Sequence, residues 1–158
     1  MAFKYKAIRP DTEIKLPPRR GKPKPKEFFT GQVQGKKASE LEERFARSLD
    51  RARLGYNFRM RIDPQGSLTQ MITNELGEVE IDFMVYEGWR MYPVQIDGEI
   101  AHFHGAWEQE RDRNKDDIVN DVIGKMGGAK VMRIPFFEIW TEYDSDLKAK
   151  RLINEARW

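Results

Sequence analysis

Val79-Glu80-Ile81-Asp82-Phe83-Met84-Val85-Tyr86, then Glu87-Gly88-Trp89-Arg90, then Met91-Tyr92-Pro93-Val94-Gln95-Ile96-Asp97: this run decides the fold. Apolar and polar residues alternate on either side of the central four. Val79, Ile81, Phe83 and Val85 share one face, and Val94 and Ile96 share another, which is strand period. The middle four residues turn the chain, so the run predicts a hairpin. Alternation then aims Asp82 away from Ile81 and Phe83, and Gln95 and Asp97 away from Val94 and Ile96. In that register Asp82 lies opposite Gln95 or its neighbour, and cross-strand partners sit about 5 Å apart at Cβ. Asp82, Gln95 and Asp97 are therefore expected to converge on one patch. Two carboxylates and an amide oxygen form a candidate Mg²⁺ site, because this ion takes oxygen ligands and keeps waters for a substrate. The bland alternative, unrelated residues on a solvent face, suits a lone polar strand residue better than this group.

Upstream, Tyr56, Phe58, Met60 and Ile62 alternate with Asn57, Arg59 and Arg61, a further strand that ends at the turn Asp63-Pro64-Gln65-Gly66. Before it, Leu41, Phe45, Leu49 and Leu54 recur at helical spacing. Ser39 and Glu42 form a capping box at the start of that helix, and Gly55 is the expected stop. Downstream, residues 105–127 hold a second helix with an apolar stripe of Ile118, Val119, Val122, Ile123 and Met126, halted at Gly127-Gly128. Lys130 to Ile134 is a strand closed by Pro135, and 136–143 reads as apolar and aromatic, a further strand candidate. Asp144 or Ser145 caps a last helix carrying Leu147, Leu152 and Ile153. The order predicts an α/β fold, a mixed sheet flanked by helices, with a C-terminal helical extension.

The chain has 158 residues, near one domain's worth, and 39% of them are hydrophobic. No stretch approaches the roughly 18 apolar residues of a membrane helix. Met1-Ala2-Phe3-Lys4-Tyr5-Lys6 has no apolar run after its charges, so a cytoplasmic chain without a secretion signal is expected. Cys is absent, which excludes disulfides, thiolate zinc sites and a Cys nucleophile; two His exclude an all-His metal cage. The net charge of +2 hides an asymmetry. Residues 1–37 carry 11 Lys and Arg against 3 Asp and Glu, a net +8. Residues 38–158 carry 17 against 23, a net −6. Five prolines between residues 10 and 25 forbid helix there. Residues 1–37 thus read as a basic, proline-rich arm, and 38–158 as a single domain. The arm, residues 15–37 above all, is expected to meet the phosphates of a nucleic acid; the bland reading is a solubilising tail.

His102 and His104 follow Asp97 closely, and an imidazole there could take a proton from a water or give one to a leaving oxygen. Glu42 has two roles open to it: third residue of the capping box, or an acid aimed from the first helix toward the hairpin, with Glu43 its neighbour. Trp89, Trp107 and Trp140 could stack on bases or simply pack. Arg111, Arg113 and Lys115 could contact phosphates or pair with the acids around them.

The set Glu42-Glu43-Arg44-Phe45, Glu80-Ile81-Asp82-Phe83, Val94-Gln95-Ile96-Asp97-Gly98, His102-Phe103-His104, Asp112-Arg113 or Lys115-Asp116, and Gly128-Ala129-Lys130-Val131-Met132-Arg133 resembles the PD-(D/E)XK nuclease superfamily. Within it the pattern is similar to the branch of very-short-patch-repair endonucleases. The resemblance implies a restriction-endonuclease-like αβββαβ core and Mg²⁺-dependent hydrolysis of DNA phosphodiesters, with Mn²⁺ as a substitute ion. It implies Asp82 as a metal-binding aspartate. Gln95 stands where many members have a metal-binding acid, and Asp97 where the superfamily has its lysine. His102 matches a catalytic histidine, with His104 the second choice, and Asp112 or Asp116 a helix acid. The alternative is a catalytically inactive nucleic-acid-binding protein on the same scaffold. A homodimer would suit double-strand cuts, and a monomer nicking.

Overall fold

The computed structural model describes residues 27–62, 79–98 and 106–158. A short hairpin comes first, β1 (Gln32–Val33) and β2 (Lys36–Lys37), followed by α1 (Glu40–Arg51) and β3 (Gly55–Arg61). Then come β4 (Glu80–Glu87), β5 (Arg90–Asp97), α2 (Ala106–Lys125) and β6 (Met132–Pro135). A 3₁₀ turn over Phe136–Ile139 leads into α3 (Glu142–Glu155). The main sheet has the order β3-β4-β5-β6; its first three strands are antiparallel, and β6 joins β5 in parallel after the α2 crossover. The mixed α/β architecture expected from the sequence is present.

The sheet is buried on both faces. On one side Phe45 and Leu49 of α1 and Ala149 and Leu152 of α3 meet Phe58, Phe83, Val85, Tyr92, Val94 and Ile134. Phe83 is the hub, with the rings of Phe45, Tyr56 and Phe58 at 5.4, 5.6 and 5.1 Å. On the other side Ile118, Val119 and Ile123 of α2 cover Ile62, Val79, Ile81 and Met84. Met126, placed in that stripe by periodicity, is exposed because α2 ends one residue before it.

The two cores correct the simple alternation. Tyr56 and Phe58 belong to the first, Met60 and Ile62 to the second. Likewise Phe83 and Val85 belong to the first, Ile81 and Val79 to the second. Both strands turn over at one place. Rungs join Phe58 to Phe83 and Met60 to Ile81, but the rung between Arg59 and Asp82 is missing. Arg59 has φ 53, and a left-handed residue inside a strand reverses the side to which the next side chain points.

The termini of α1 follow local chemistry. Ser39 and Glu42 form the expected box: the Glu42 N–H donates to Ser39 Oγ at 3.2 Å, and the Ser39 N–H to Glu42 Oε1 at 2.9 Å. The stop is not Gly55, which opens β3. Arg53 takes the left-handed position at φ 59, and the Leu54 N–H reaches the Leu49 carbonyl at 3.0 Å. α3 is capped by Thr141, not Asp144 or Ser145; the Asp144 N–H donates to Thr141 Oγ1 at 3.1 Å. Ser145 is instead buried against α1, 2.8 Å from the Ser48 hydroxyl. Residues 136–143 form the 3₁₀ turn and the start of α3, so no strand follows β6.

The end of the expected arm is folded onto the body. Gln34 and Gly35, with φ 51 and 78, make the tight turn of the β1–β2 hairpin. Val33 and Ala38 enter the first core. Buried Glu43 holds the segment ahead of the hairpin: its carboxylate accepts the N–H groups of Thr30 and Gly31, the latter at 2.7 Å, and the Arg47 guanidinium at 2.6 Å. Burial alone would raise its pKa, but these bonds and the Arg47 charge hold it below the usual range. Gln34 then lies along the outer edge of β3. Its Nε2 donates to the Tyr56 carbonyl, and its Oε1 accepts the Phe58 N–H, both at 2.8 Å. Lys36 Nζ adds bonds to the carbonyls of Phe58 and Arg59 at 3.0 and 3.3 Å. The expected arm from residue 1 to 26 lies outside the described residues.

Candidate acidic site

The β4–β5 ladder is regular from Glu87–Arg90 to Phe83–Val94. Beyond that rung side chains take over from the backbone. The Ile96 N–H donates to Asp82 Oδ2 at 2.8 Å. The Asp82 N–H donates to Gln95 Oε1 at 3.1 Å, and Gln95 Nε2 donates to the Glu80 carbonyl at 2.9 Å. Gln95 is thus a bridge between strands, with both ends of its amide engaged.

Asp82 sits among charges from three elements. Burial raises its pKa most. The Ile96 N–H lowers it, Glu42 of α1 and Glu80 raise it, and Arg59 lowers it, and the balance leaves the carboxyl at about 7. Arg59 stands between two of these acids, its guanidinium 3.9 Å from Glu42 and 3.6 Å from Glu80. It lies 5.5 Å from the centre of the Phe58 ring, and its Nε is buried with no hydrogen-bond partner among the described residues. The residue whose left-handed backbone interrupts the ladder thus also carries one of the charges that act on Asp82.

Asp97 belongs to a different group. Its Oδ1 accepts Arg133 Nη1 at 2.7 Å. Arg133 also grips Asp116 of α2 in bidentate fashion, at 2.7 and 2.8 Å. Burial raises the Asp116 pKa; Arg133 opposes this, while Asp112 and Asp97 add to it. Burial alone would lower the Arg133 pKa, but these acids hold it above its ordinary value. The network ties α2 to β5 and β6.

Of the expected residues, then, Asp82 and Glu42 are brought together, and Glu42 keeps its capping bond as well. Gln95 touches Asp82 through the backbone and serves as a strap. Asp97 and Asp112 gather instead around Arg133. His102 and His104 lie outside the described residues. Sequence reasoning missed Arg59 and Glu80. Glu80 could have been found two residues before Asp82; Arg59 could not, because nothing in an alternating run marks the residue at which it turns over. Among the described residues no group of three or more His, Asp or Glu side chains is assembled to hold a metal ion, and no helix is long and apolar enough to cross a membrane. No family model, curated protein or solved structure matches the chain.

Proposed function

We propose that the protein is a metal-dependent DNA endonuclease of the PD-(D/E)XK kind that works at the open end of the β4–β5 ladder. The observation that supports it is the meeting of Asp82 with Glu42 beside Arg59, at the interruption of a sheet whose elements run helix, three strands, helix, strand. The donor chemistry fits Mg²⁺ or Mn²⁺: such an ion takes one or two carboxylates and keeps its waters. Asp82 and Glu42 would hold it, and it would supply Lewis-acid polarisation of a phosphate and a more acidic water. The Ile96 N–H fixes Asp82 through Oδ2. Arg59 offers a guanidinium for a phosphate oxygen. Gln95 would act as a positioning residue, bridging the strands beside Asp82. His102 is the proton carrier in this reading, with His104 its alternate. The basic segment before Glu27 gives sequence-independent affinity that falls with salt.

Supercoiled, mismatched, branched and single-stranded DNA, each with Mg²⁺, Mn²⁺ or EDTA, test the reading. Cleavage should need the ion and fall about 10²-fold or more in Asp82→Asn. No cleavage of any substrate would remove it. A non-enzymatic nucleic-acid-binding protein is the second reading, favoured by the engagement of Gln95 in strand bridging and of Asp97 by Arg133. It expects salt-sensitive binding with no cleavage. The native mass by size exclusion separates a nicking monomer from a homodimer.

A further inference from the structure

The other end of the same hairpin carries an exposed aromatic cluster. Gly88, at φ 62, makes the turn, and Trp89 projects from it 78% exposed. Trp158 lies nearby, 58% exposed, its ring edge-on to buried Tyr92 at 5.6 Å. The Arg90 guanidinium carbon is 5.5 Å from the Trp89 ring centre and 5.7 Å from that of Trp158. Arg90 therefore joins the two indoles into one ordered unit. A side chain at Gly127 would meet the Trp89 ring at 4.0 Å, so the α2 turn backs the platform.

The surroundings decide what such a platform fits. Among the described residues the Arg90 guanidinium meets these two rings and makes no hydrogen bond or ion pair, and its N–H groups point in the plane of the guanidinium, not toward the ring faces. Exposed Arg157 adjoins Trp158, and Lys130 is tied to it through the Arg157 carbonyl at 2.8 Å. These cations stand on a domain whose net charge is −6 over residues 38–158. An apolar partner would match the rings and leave the cations idle. Unpaired nucleobases with their phosphates match both, because any base has a face to stack and every nucleotide an anion for Arg90.

We infer that Trp89, Arg90 and Trp158 form a stacking platform for single-stranded nucleic acid, distinct from the acidic site. Five residues of strand separate it from Asp82, about 17 Å at roughly 3.4 Å each. The inference rests on the nucleic-acid reading above and specifies which strand form it engages.

The test is binding of fluorescein-labelled oligothymidylate to the full chain in EDTA, read by anisotropy and by quenching of tryptophan fluorescence. Trp89→Ala should weaken binding about tenfold and lose part of the quenching, with Trp89→Phe retaining most of the affinity. Arg90→Ala should weaken binding too, and duplex should compete poorly. Trp89 is exposed enough that its variants keep the wild-type melting temperature. Unchanged affinity in Trp89→Ala and Arg90→Ala, or equal affinity for duplex and single strand, would overturn the platform. So would oligothymidylate that fails to bind while lipid vesicles or a protein do. Platform binding without cleavage in Mg²⁺ removes only the hydrolytic reading; cleavage by a Trp89→Ala chain of undiminished affinity removes only the platform.

Discussion

The two ends of the β4–β5 hairpin are built by different rules. From Glu87–Arg90 to Phe83–Val94 the main chains pair rung by rung. From Asp82 to Ile96 the strands are held by a carboxylate and an amide reaching across to the opposite backbone. The regular end is closed by aromatic packing and ordinary strand propensity. The open end gathers Glu42, Glu80, Asp82 and Arg59 in half-buried surroundings, at a cost in stability that packing elsewhere must offset. Sheet geometry is therefore conserved where only packing is required and given up where charges collect.

That contrast can be broken from the regular side first. Phe83→Ala removes the hub of three aromatic contacts and should cost about 3–5 kcal/mol, seen as a lower urea midpoint. The open end should respond in the opposite sense. Asp82 has its folded pKa at about 7, above the ordinary carboxylate value, so the folded state takes up a proton that the unfolded chain releases near pH 4. Its contribution is fully present at low pH and lost as pH rises toward 7. Asp82→Asn should thus raise stability at pH 8, by at most about 4 kcal/mol, and leave it unchanged near pH 4. A melting-temperature difference that does not grow with pH would contradict the placement of this carboxyl. On the nuclease reading proposed above the same variant should lose cleavage, so stability and activity would move in opposite directions.

Gln95→Ala sharpens the comparison at a smaller scale. It strips the Asp82 N–H and the Glu80 carbonyl of their partners and should cost about 2 kcal/mol. Amide exchange should quicken at Asp82 and Ile96 while the rungs near Tyr86 stay protected. Smallest is Arg59→Gly. It relieves a left-handed residue and should leave stability unchanged or raise it by about 1 kcal/mol, where Arg59→Val should lower it. Calorimetry on the pair separates backbone strain from charge.

Much of the fold was legible because period and capping are local properties. Ser39 and Glu42 announce α1, and the Phe83–Tyr86 and Tyr92–Ile96 runs announce a buried hairpin. The site was legible only in part. Asp82 and Glu42 stood out as acids on a strand and a helix, and the structure lets the charge of one act on the other. Strict alternation failed beside them, since it assumes that no residue turns over, and Arg59 does. Asp97 was assigned by spacing to Asp82, whereas its partner Arg133 lies 36 residues later and is met only after α2 has crossed the sheet. Side chains that substitute for backbone, as Gln34 and Gln95 do, leave no periodic trace.

Gln34 has a practical corollary. Because its amide covers the margin of β3, removing residues 1–26 and removing residues 1–37 are different operations. The shorter trim takes away nine Lys and Arg against two Asp and Glu, all ahead of Glu27, and on the nucleic-acid reading proposed above it should weaken salt-dependent DNA affinity. The longer one bares a strand rim and invites neighbouring molecules to pair along it, so it should yield self-associating material whose lost binding says nothing about phosphate contacts.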